Sequence, residues 1–354
     1  MASPLKANII FFGLICLVSC APSSQQDSYV ISRASVEASV FTTSVPGDAD
    51  DPAIWIDREN PEKSLIIADD KEVNGALYAW DLSGAEVYKT ETLNRPTNVD
   101  VRYDIDVNGQ KEDIVACAIR GTNEIKVFKM DPKNKVLVDI TAPGGISTGF
   151  PVDTYGFTLY KRSSDGTLFG FVSSKNKDHI HQIRLHGDGN GRVAGEFVRQ
   201  FGEPDMVRYV EGMVADDEKD FLYAADERRG ILKYKADPAL YEHKVKNVFA
   251  TKDGIHRDRE GIALYKCPNG DGYFLLSDQA GDSLKVYERQ GKNKFIGTLM
   301  TKGSTETDGI EVTSHSLGSK FPEGIIVAHN DGNKNFVIYD WRDVRKALNL
   351  KRCK

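Results

Sequence analysis

The sequence predicts an all-β fold, a six-bladed β-propeller of four-stranded blades, and three observations carry that prediction. First, a short segment opens on a polar residue, is usually followed by Gly, and then alternates apolar positions. It occurs six times: Asp51-Pro-Ala-Ile-Trp, Asn98-Val-Asp-Val-Arg, Tyr155-Gly-Phe-Thr-Leu, Glu211-Gly-Met-Val-Ala, Glu260-Gly-Ile-Ala-Leu and Asp308-Gly-Ile-Glu-Val. The intervals are 47, 57, 56, 49 and 48 residues, a period suited to one small sheet per repeat. Second, the same series of strand-like runs follows each opening. Third, the sixth repeat lacks its last run, while one unattached β-like segment precedes the first.

Each element follows from its pattern. After the opening strand come apolar runs ending in charged or amide residues: SLIIADDK (64–71), DIVACAIR (113–120), LFGFVSSK (168–175), FLYAADER (221–228), YFLLSDQ (273–279) and GIIVAHND (324–331). Turns rich in Asn, Asp and Gly, such as Asn269-Gly270-Asp271-Gly272, separate them from the openings. Third strands alternate aromatic or aliphatic with polar residues: ALYAWDL, EIKVFKM, HIHQIRL, GILKYKA, SLKVYER and NFVIYDW. Outer strands follow in the first five repeats only: EVYKTETL, VLVDITA, VAGEFVRQF, KVKNVFAT and FIGTLMT. The chain ends instead in WRDVRKALNL, which reads as a short helix. The segment SVEASVFTTSV (35–45) is therefore expected to complete the last blade and close the ring, which removes exposed sheet edges. Two separate β-sandwiches would not need six registers kept in step.

At 354 residues the chain is long for one ordinary domain, but a closed ring of blades is a single unit. A net charge of −6 argues against a basic nucleic-acid-binding face. The first residues differ from the rest. Lys6 precedes an apolar run from Ile9 to Val18, too short to span a bilayer and suited to a secretory segment. Leu17-Val18-Ser19-Cys20 resembles a bacterial lipoprotein box. Residues 1–19 are thus expected to be a lipoprotein-type signal, 20–34 a Ser- and Gln-rich tether, and 35–354 the propeller. That makes the protein exported and lipid-anchored through Cys20 in the bacterial cell envelope, at the outer membrane. An ordinary cleaved signal with an incidental Cys is the alternative. Export permits a disulfide. Cys117 lies in an apolar strand and reads as a small buried hydrophobe, whereas Cys267 and Cys353 are either a pair or two free thiols.

In a propeller the ends of the inner strands converge on one face. The second strands deliver Asp69, Asp70, Lys71, Arg120, Lys175, Asp226, Glu227, Arg228, Asp278, Gln279, Asn330 and Asp331 there. The openings add Asp50, Asp51, Asn98, Asp100, Arg102, Asp153, Tyr155, Glu211, Asp258, Glu260, Asp308 and Glu311. So many carboxylates in one area raise one another's pKa unless cations neutralise them. Oxygen ligands without a Cys/His cluster select hard ions, Ca²⁺ before Zn²⁺. Interleaved Lys and Arg imply that an anion docks as well, and phosphate suits both. Single acidic turn residues are also common as mere solvated turns. Asp104-Ile-Asp106-Val-Asn108-Gly109 begins like an EF-hand, but its twelfth position is Val115, so it reads as a turn. His179 and His181 share a strand face without an evident third ligand, which favours packing. No Cys-x5-Arg loop or Arg-His-Gly-x-Arg motif occurs, so phosphatase chemistry would lack a Cys or His covalent intermediate.

The stretches DADDPAIWID (48–57), TNVDVRYD (97–104), TYGFTLY (154–160), EGMVADDE (211–218), DREGIALY (258–265), VYERQGKNKF (286–295) and TDGIEV (307–312) resemble the β-propeller phytases, the calcium-dependent 3-phytase family. The resemblance spans about residue 35 to Trp341. It implies a monomer that uses several Ca²⁺ ions to hydrolyse phytate (inositol hexakisphosphate), free or as its calcium salt, by direct attack of Ca²⁺-bound water. By the same resemblance Lys71, Arg120, Lys175 and Tyr155 contact phosphate. Asp51, Glu211, Glu227, Asp258, Glu260, Gln279 and Asp308, with Glu311, match metal-ligating positions. Three departures bear on the number of ions rather than on the reaction class. Asn176 stands where Glu is common, Glu311 where a shorter Asp is usual, and Val40–Val45 lacks an upstream acidic ligand. The alternatives are a non-catalytic Ca²⁺-stabilised surface binding propeller and a lactonase-like Ca²⁺ propeller. A neutral lactone would not need three phosphate-binding cations.

Overall fold

A computed structural model of the chain describes residues 1–2, 32–207 and 209–353. The expected signal, Cys20 and the tether up to residue 31 lie outside the described residues. The first strand begins at Ser32, inside the stretch assigned to the tether.

Six antiparallel sheets follow the six repeats, each running outward from the axis in chain order. Blade 1 comprises Ala49–Trp55, Leu65–Asp70, Ala76–Trp80 and Glu86–Lys89. Blade 2 holds Pro96–Val107, Gln110–Ile119, Glu124–Asp131 and Val136–Asp139, with Ile146–Ser147 also pairing on its third strand. Blade 3 is Thr154–Lys161, Leu168–Ser174, Ile180–Gly187 and Val193–Phe201. Blade 4 is Val210–Asp216, Phe221–Asp226, Gly230–Lys235 and Asn247–Phe249. Blade 5 is Arg259–Lys266, Gly272–Asp278, Ser283–Glu288 and Phe295–Lys302. Blade 6 supplies Ile310–Thr313, Ile325–Asn330 and Asn335–Asp340 before the helix Trp341–Ala347.

The apolar core lies between blades rather than within one. Blades 1 and 2 share Trp55, Ile67, Val115 and Phe128, and blades 3 and 4 share Tyr160, Phe171, Leu222 and Tyr234. The seam of blades 5 and 6 gathers Leu275, Leu299, Ile326 and Tyr339, and the terminal helix covers it through Trp341, which stacks on Tyr265 at 3.6 Å. Burying both faces of each sheet in this way explains why the second strands are continuous apolar runs instead of alternating ones.

Ring closure is shared by two short pieces of the N-terminal segment, where the sequence suggested one strand. Val40–Phe41 pairs antiparallel with Val337 and Ile338, completing blade 6 as expected. Ser39, Thr42 and Val45 extend that zipper by donating to the carbonyls of Ile338, Phe336 and Lys334. Ser32–Glu37 pairs instead in parallel with Phe295–Lys302, as a fifth strand on blade 5. The switch follows from burial: Val36 enters the seam of blades 5 and 6, while Val40 packs on that of blades 6 and 1. One segment thus staples two seams. A disulfide between Cys267 and Cys353, with Cα atoms 5.1 Å apart, ties the C-terminal tail back to blade 5. Cys117 is buried with a free thiol. The EF-hand-like stretch is a hairpin tip, with Gly109 donating to the Asp106 carboxylate at 2.8 Å. His181 is buried against Phe150 at 3.8 Å, in a packing role.

Deleting residues 32–45 removes the outer strand of blade 6 and the staple across its two seams. The melting temperature is expected to fall by at least about 5 °C, at roughly 1–2 °C per kcal/mol for a chain of this size. Unchanged melting would show that the ring closes without this segment.

Candidate active site

The repeated opening residue sits in a distortion of the inner strand. Register breaks between Ala49 and Pro52, Thr97 and Val99, Thr154 and Phe157, Val210 and Met213, and Arg259 and Ile262. A bulge re-aims a side chain. Here it carries Asp50 and Asp51, Asn98, Tyr155, Glu211 and Glu260 out of the alternating register. The Gly that follows is required by close approach. A Cβ on Gly156 would lie 2.2 Å from the Glu211 carbonyl oxygen, and one on Gly212 1.9 Å from that of Glu260. Gly261 donates to the carbonyl of Asp308 at 2.9 Å and Gly309 to that of Asp50 at 3.2 Å, linking consecutive blades directly. Asp50, Asp51, Asn98, Glu211, Glu260 and Asp308 therefore line one narrow opening at the axis.

The penultimate residue of the second strand fixes several bulges from behind. Asp69 accepts the Asp51 N–H at 3.0 Å, Ser173 that of Gly156 at 2.8 Å, and His329 Nδ1 that of Asp308 at 3.0 Å. The next residue has another duty. Asp70 accepts the N–H groups of Gly47 and Asp48, Asp226 that of Val207, Asp278 that of His256 and Asn330 that of Thr305. These side chains brace the loops entering each blade. One position further, Lys71, Arg120, Lys175 and Glu227 reach the rim. Their own N–H groups are held by the carbonyls of Asp48, Arg95, Asp153 and Tyr209 at 2.8, 2.8, 2.9 and 3.2 Å.

Two groups form at this end of the axis. Glu211, Glu227 and Glu260 bring one carboxylate oxygen each within 4.8 Å of one another. Tyr155 donates its hydroxyl to Glu227 at 3.1 Å, and its ring lies 5.6 Å from the Arg120 guanidinium and 4.9 Å from the Lys175 ammonium. Beside them Lys71 contacts Asp50 at 2.8 Å and Asp308 at 3.3 Å, and Gln279 donates to Asp308 at 2.5 Å. Asp258 acts on Glu227 by its charge. Asp51 and Glu311 line the axial cavity of about 290 Å³ beneath, where Glu311 feels Asp100 and Arg102 rather than the three-glutamate group. The structure thus brings together Lys71, Arg120, Tyr155, Lys175, Glu211, Glu227, Glu260, Gln279 and Asp308 and sets Asp51 and Glu311 deeper. It adds two residues that the sequence did not single out, His329 behind Asp308 and Tyr209 at the rim. Neither repeats in the other blades, so periodicity carried no signal for them.

Electrostatics report a deficit of positive charge. Burial, then the neighbouring carboxylates, raises the pKa of Glu260 and Glu211. Burial pushes Glu227 up to about 7, with the Asp258 charge adding to it and the Tyr155 hydrogen bond opposing. Burial, then Asp100, raises Glu311 to about 8. Burial alone would depress Lys71, yet Asp50, Asp308 and Glu211 hold its pKa far above the ordinary value. Asp50 Oδ2, Asp69 Oδ2 and Glu260 Oε2 are buried without a hydrogen-bond partner among the described residues. Orphaned carboxylate oxygens are costly unless a cation meets them. Three oxygens that all lie within 4.8 Å of one another can reach one ion at Ca²⁺–oxygen bonds of about 2.4 Å, so the three-glutamate group fits one hard divalent ion.

Comparison with known proteins agrees with the geometry. The Phytase family matches residues 4–352. A 3-phytase of Bacillus subtilis (strain 168) is 36% identical over 355 aligned positions, covering 94% of this chain and 91% of that protein. Among solved structures, a luciferin-regenerating enzyme aligns over 84% of this chain and 91% of its own, with a TM-score of 0.53 at 10% identity. The β-propeller domain of Myceliophteria thermophila Cps50 (Swd1) aligns over 84% and 99%, with a TM-score of 0.50 at 12% identity. These structural likenesses concern the fold alone.

The raised carboxyls make stability depend on pH. Their folded values exceed the unfolded value of 4.5, so folding takes up protons. The stability they contribute is complete below that value and is lost as pH rises through the folded ones. In EDTA the melting temperature is expected to fall between about pH 6 and about pH 9, and Ca²⁺ to offset the fall, so that the Ca²⁺-induced rise grows with pH. A Ca²⁺-induced rise that stays flat over that window would show that these carboxylates do not hold the ion.

Proposed function

The chain belongs to the Phytase family, and we propose that it is a phosphoric monoester hydrolase of phytate whose site is the axial rim described above. One observation carries this reading. Arg120 and Lys175 of blades 2 and 3 and carboxylates of blades 4 and 5 meet around Tyr155 at one end of the axis, with Lys71 of blade 1 and Asp308 of blade 6 paired beside them. A phosphate dianion and hard cations are jointly matched by such a divided rim. The cations also set it apart from a lactonase-like site, whose neutral substrate needs no such clamp.

Calcium fits the residues present. Glu211, Glu227 and Glu260 would hold one ion, with Asp258 adjacent. Asp308, beside Gln279 and Lys71, offers a second place, and Asp51 and Glu311 offer oxygens in the axial cavity. When bound, Ca²⁺ supplies a Lewis acid that polarises a phosphoryl oxygen and lowers the pKa of water. The chain's own groups do the rest. Lys71, Arg120 and Lys175 bind the phosphate oxygens and neutralise charge that grows in the transition state. The Tyr155 hydroxyl, whose one hydrogen goes to Glu227 in the free site, would donate it to a phosphate oxygen once substrate is bound. Phytate arrives free or as its calcium salt, and the protein works as a monomer.

Export and a lipid anchor at Cys20 belong to the same proposal. The apolar run Ile9–Val18 before Ser19-Cys20 supports them, and the Cys267–Cys353 disulfide fits an oxidising compartment. Among the described residues no helix is long and apolar enough to cross a membrane. Cys20→Ser is expected to move the protein from the detergent phase to the aqueous phase. Wild-type protein that partitions into the aqueous phase would overturn the anchor.

Phosphate release from phytate, measured after EDTA stripping and again with Ca²⁺ restored, tests the reaction. Lys175→Met and Arg120→Met are expected to lower kcat/KM about 10²-fold while leaving Ca²⁺-dependent stabilisation intact, since neither ligates metal. Glu211→Gln is expected to lower both. Wild-type hydrolysis in the two cation variants would remove the phosphate clamp from this rim.

A further inference from the structure

Tyr209 has a backbone conformation that does not suit its side chain. Its φ is +59°, in the left-handed region, where a bulky aromatic residue is out of place and Gly, Asn or Asp is at ease. The backbone itself has an evident task, because the Tyr209 carbonyl accepts the Glu227 N–H at 3.2 Å. Blades 2 and 3 use the same device. Arg95 (φ +59°) and Asp153 (φ +55°) hold the N–H groups of Arg120 and Lys175. Nothing in that task calls for a ring.

The ring stands between two cations. The Lys175 ammonium lies 6.0 Å from its centroid and the Arg228 guanidinium 4.9 Å. Lys175 faces the Tyr155 ring on another side at 4.9 Å, and among the described residues no carboxylate is ion-paired with it. A closed circuit results. The Tyr209 carbonyl holds Glu227, Glu227 accepts the Tyr155 hydroxyl, Tyr155 faces Lys175, and Lys175 faces Tyr209. Lys175 makes no ion pair among the described residues, and although its charge acts on Glu227, the groups in contact with its ammonium are the two π faces, which set its direction.

We propose that Tyr209 is a positioning residue of the phosphate clamp, acting through Lys175: its ring aims the ammonium at the substrate phosphate while its backbone fixes Glu227. This rests on the clamp reading above. Tyr209→Asn keeps the left-handed backbone and removes the ring, whereas Tyr209→Phe keeps the ring. Steady-state kinetics on phytate at saturating Ca²⁺, with melting curves for each variant, separate the possibilities. Tyr209→Asn is expected to lower kcat/KM about tenfold, chiefly through KM, without lowering the melting temperature. Tyr209→Phe is expected to stay within about threefold of wild type. In a Lys175→Met background, Tyr209→Asn is expected to add less than about a twofold loss, because no ammonium remains to be aimed. Wild-type kinetics in Tyr209→Asn would overturn the proposal, as would full additivity with Lys175→Met or an equal loss in Tyr209→Phe. If Lys175→Met itself behaves like wild type, the clamp reading falls first and this inference with it.

Discussion

The structure depends on a backbone-to-backbone contact between neighbouring inner strands. Around the axis the blades come so close that Gly156, Gly212, Gly261 and Gly309 leave no room for a Cβ beside the next strand. The inter-blade hydrogen bonds from Gly261 and Gly309 show that this approach is bonded as well as tight. The residue before each Gly points to the axis, and in blades 3 to 5 a bulge turns it there. Where Gly is absent the contact changes character. Between blades 1 and 2 the Asp51 carboxylate reaches across and accepts the Val99 N–H at 3.3 Å, so a side chain spans a gap that backbone closes elsewhere. Concentrated negative charge is therefore a consequence of how the ring closes, and the chemistry follows from what must neutralise it.

Neighbouring residues on the second strands divide structural from functional acidity. Side chains alternate along a strand, so Asp70, Asp226, Asp278 and Asn330 turn to the loops while Lys71, Glu227 and Gln279 face the rim. The rim position also changes sign around the ring, with Lys71, Arg120 and Lys175 in one half and Glu227 and Gln279 in the other. Adjacent cations alone would bind any anion, and adjacent carboxylates any hard cation. Their meeting at Tyr155 favours a ligand pair that brings both charges.

Much of this is legible in the sequence because periodicity survives divergence. Six openings in step fix the number of blades, and the missing sixth outer strand points to N-terminal closure. Lys71, Arg120 and Lys175 could be placed on one rim because they end equivalent runs. Other features are not periodic and so left no trace. A bulge is a slip of one residue, invisible until the partner strand is in place. The hop from blade 5 to blade 6 within residues 32–41 depends on which seam receives Val36 and which Val40. His329 does for Asp308 what Asp69 does for Asp51, with a different side chain, so no common letter marks the role. Tyr209 is set apart only by its φ angle and its neighbours.

Away from the rim, several buried acids have permanent arginine partners. Arg289, itself fully buried, bonds both oxygens of Asp216 at 2.6 and 2.8 Å and reaches Glu218 as well. Inside the axial cavity Arg102 joins Asp100 at 2.7 Å and Asp217 at 2.8 Å and donates to the Leu159 carbonyl, tying blades 2, 3 and 4 together. A guanidinium stays charged across the accessible pH range, so those carboxylates are settled when the chain folds. At the rim the pattern stops. Lys71 serves Asp50 and Asp308, but among the described residues the three-glutamate group receives only the Tyr155 hydroxyl, and Glu260 keeps an oxygen with no partner. The fold that supplies arginine where neutrality is to be permanent withholds it here. On the calcium reading, that leaves the last increment of charge to come from solution, and the working geometry of the site then depends on the concentration of the ion that completes it.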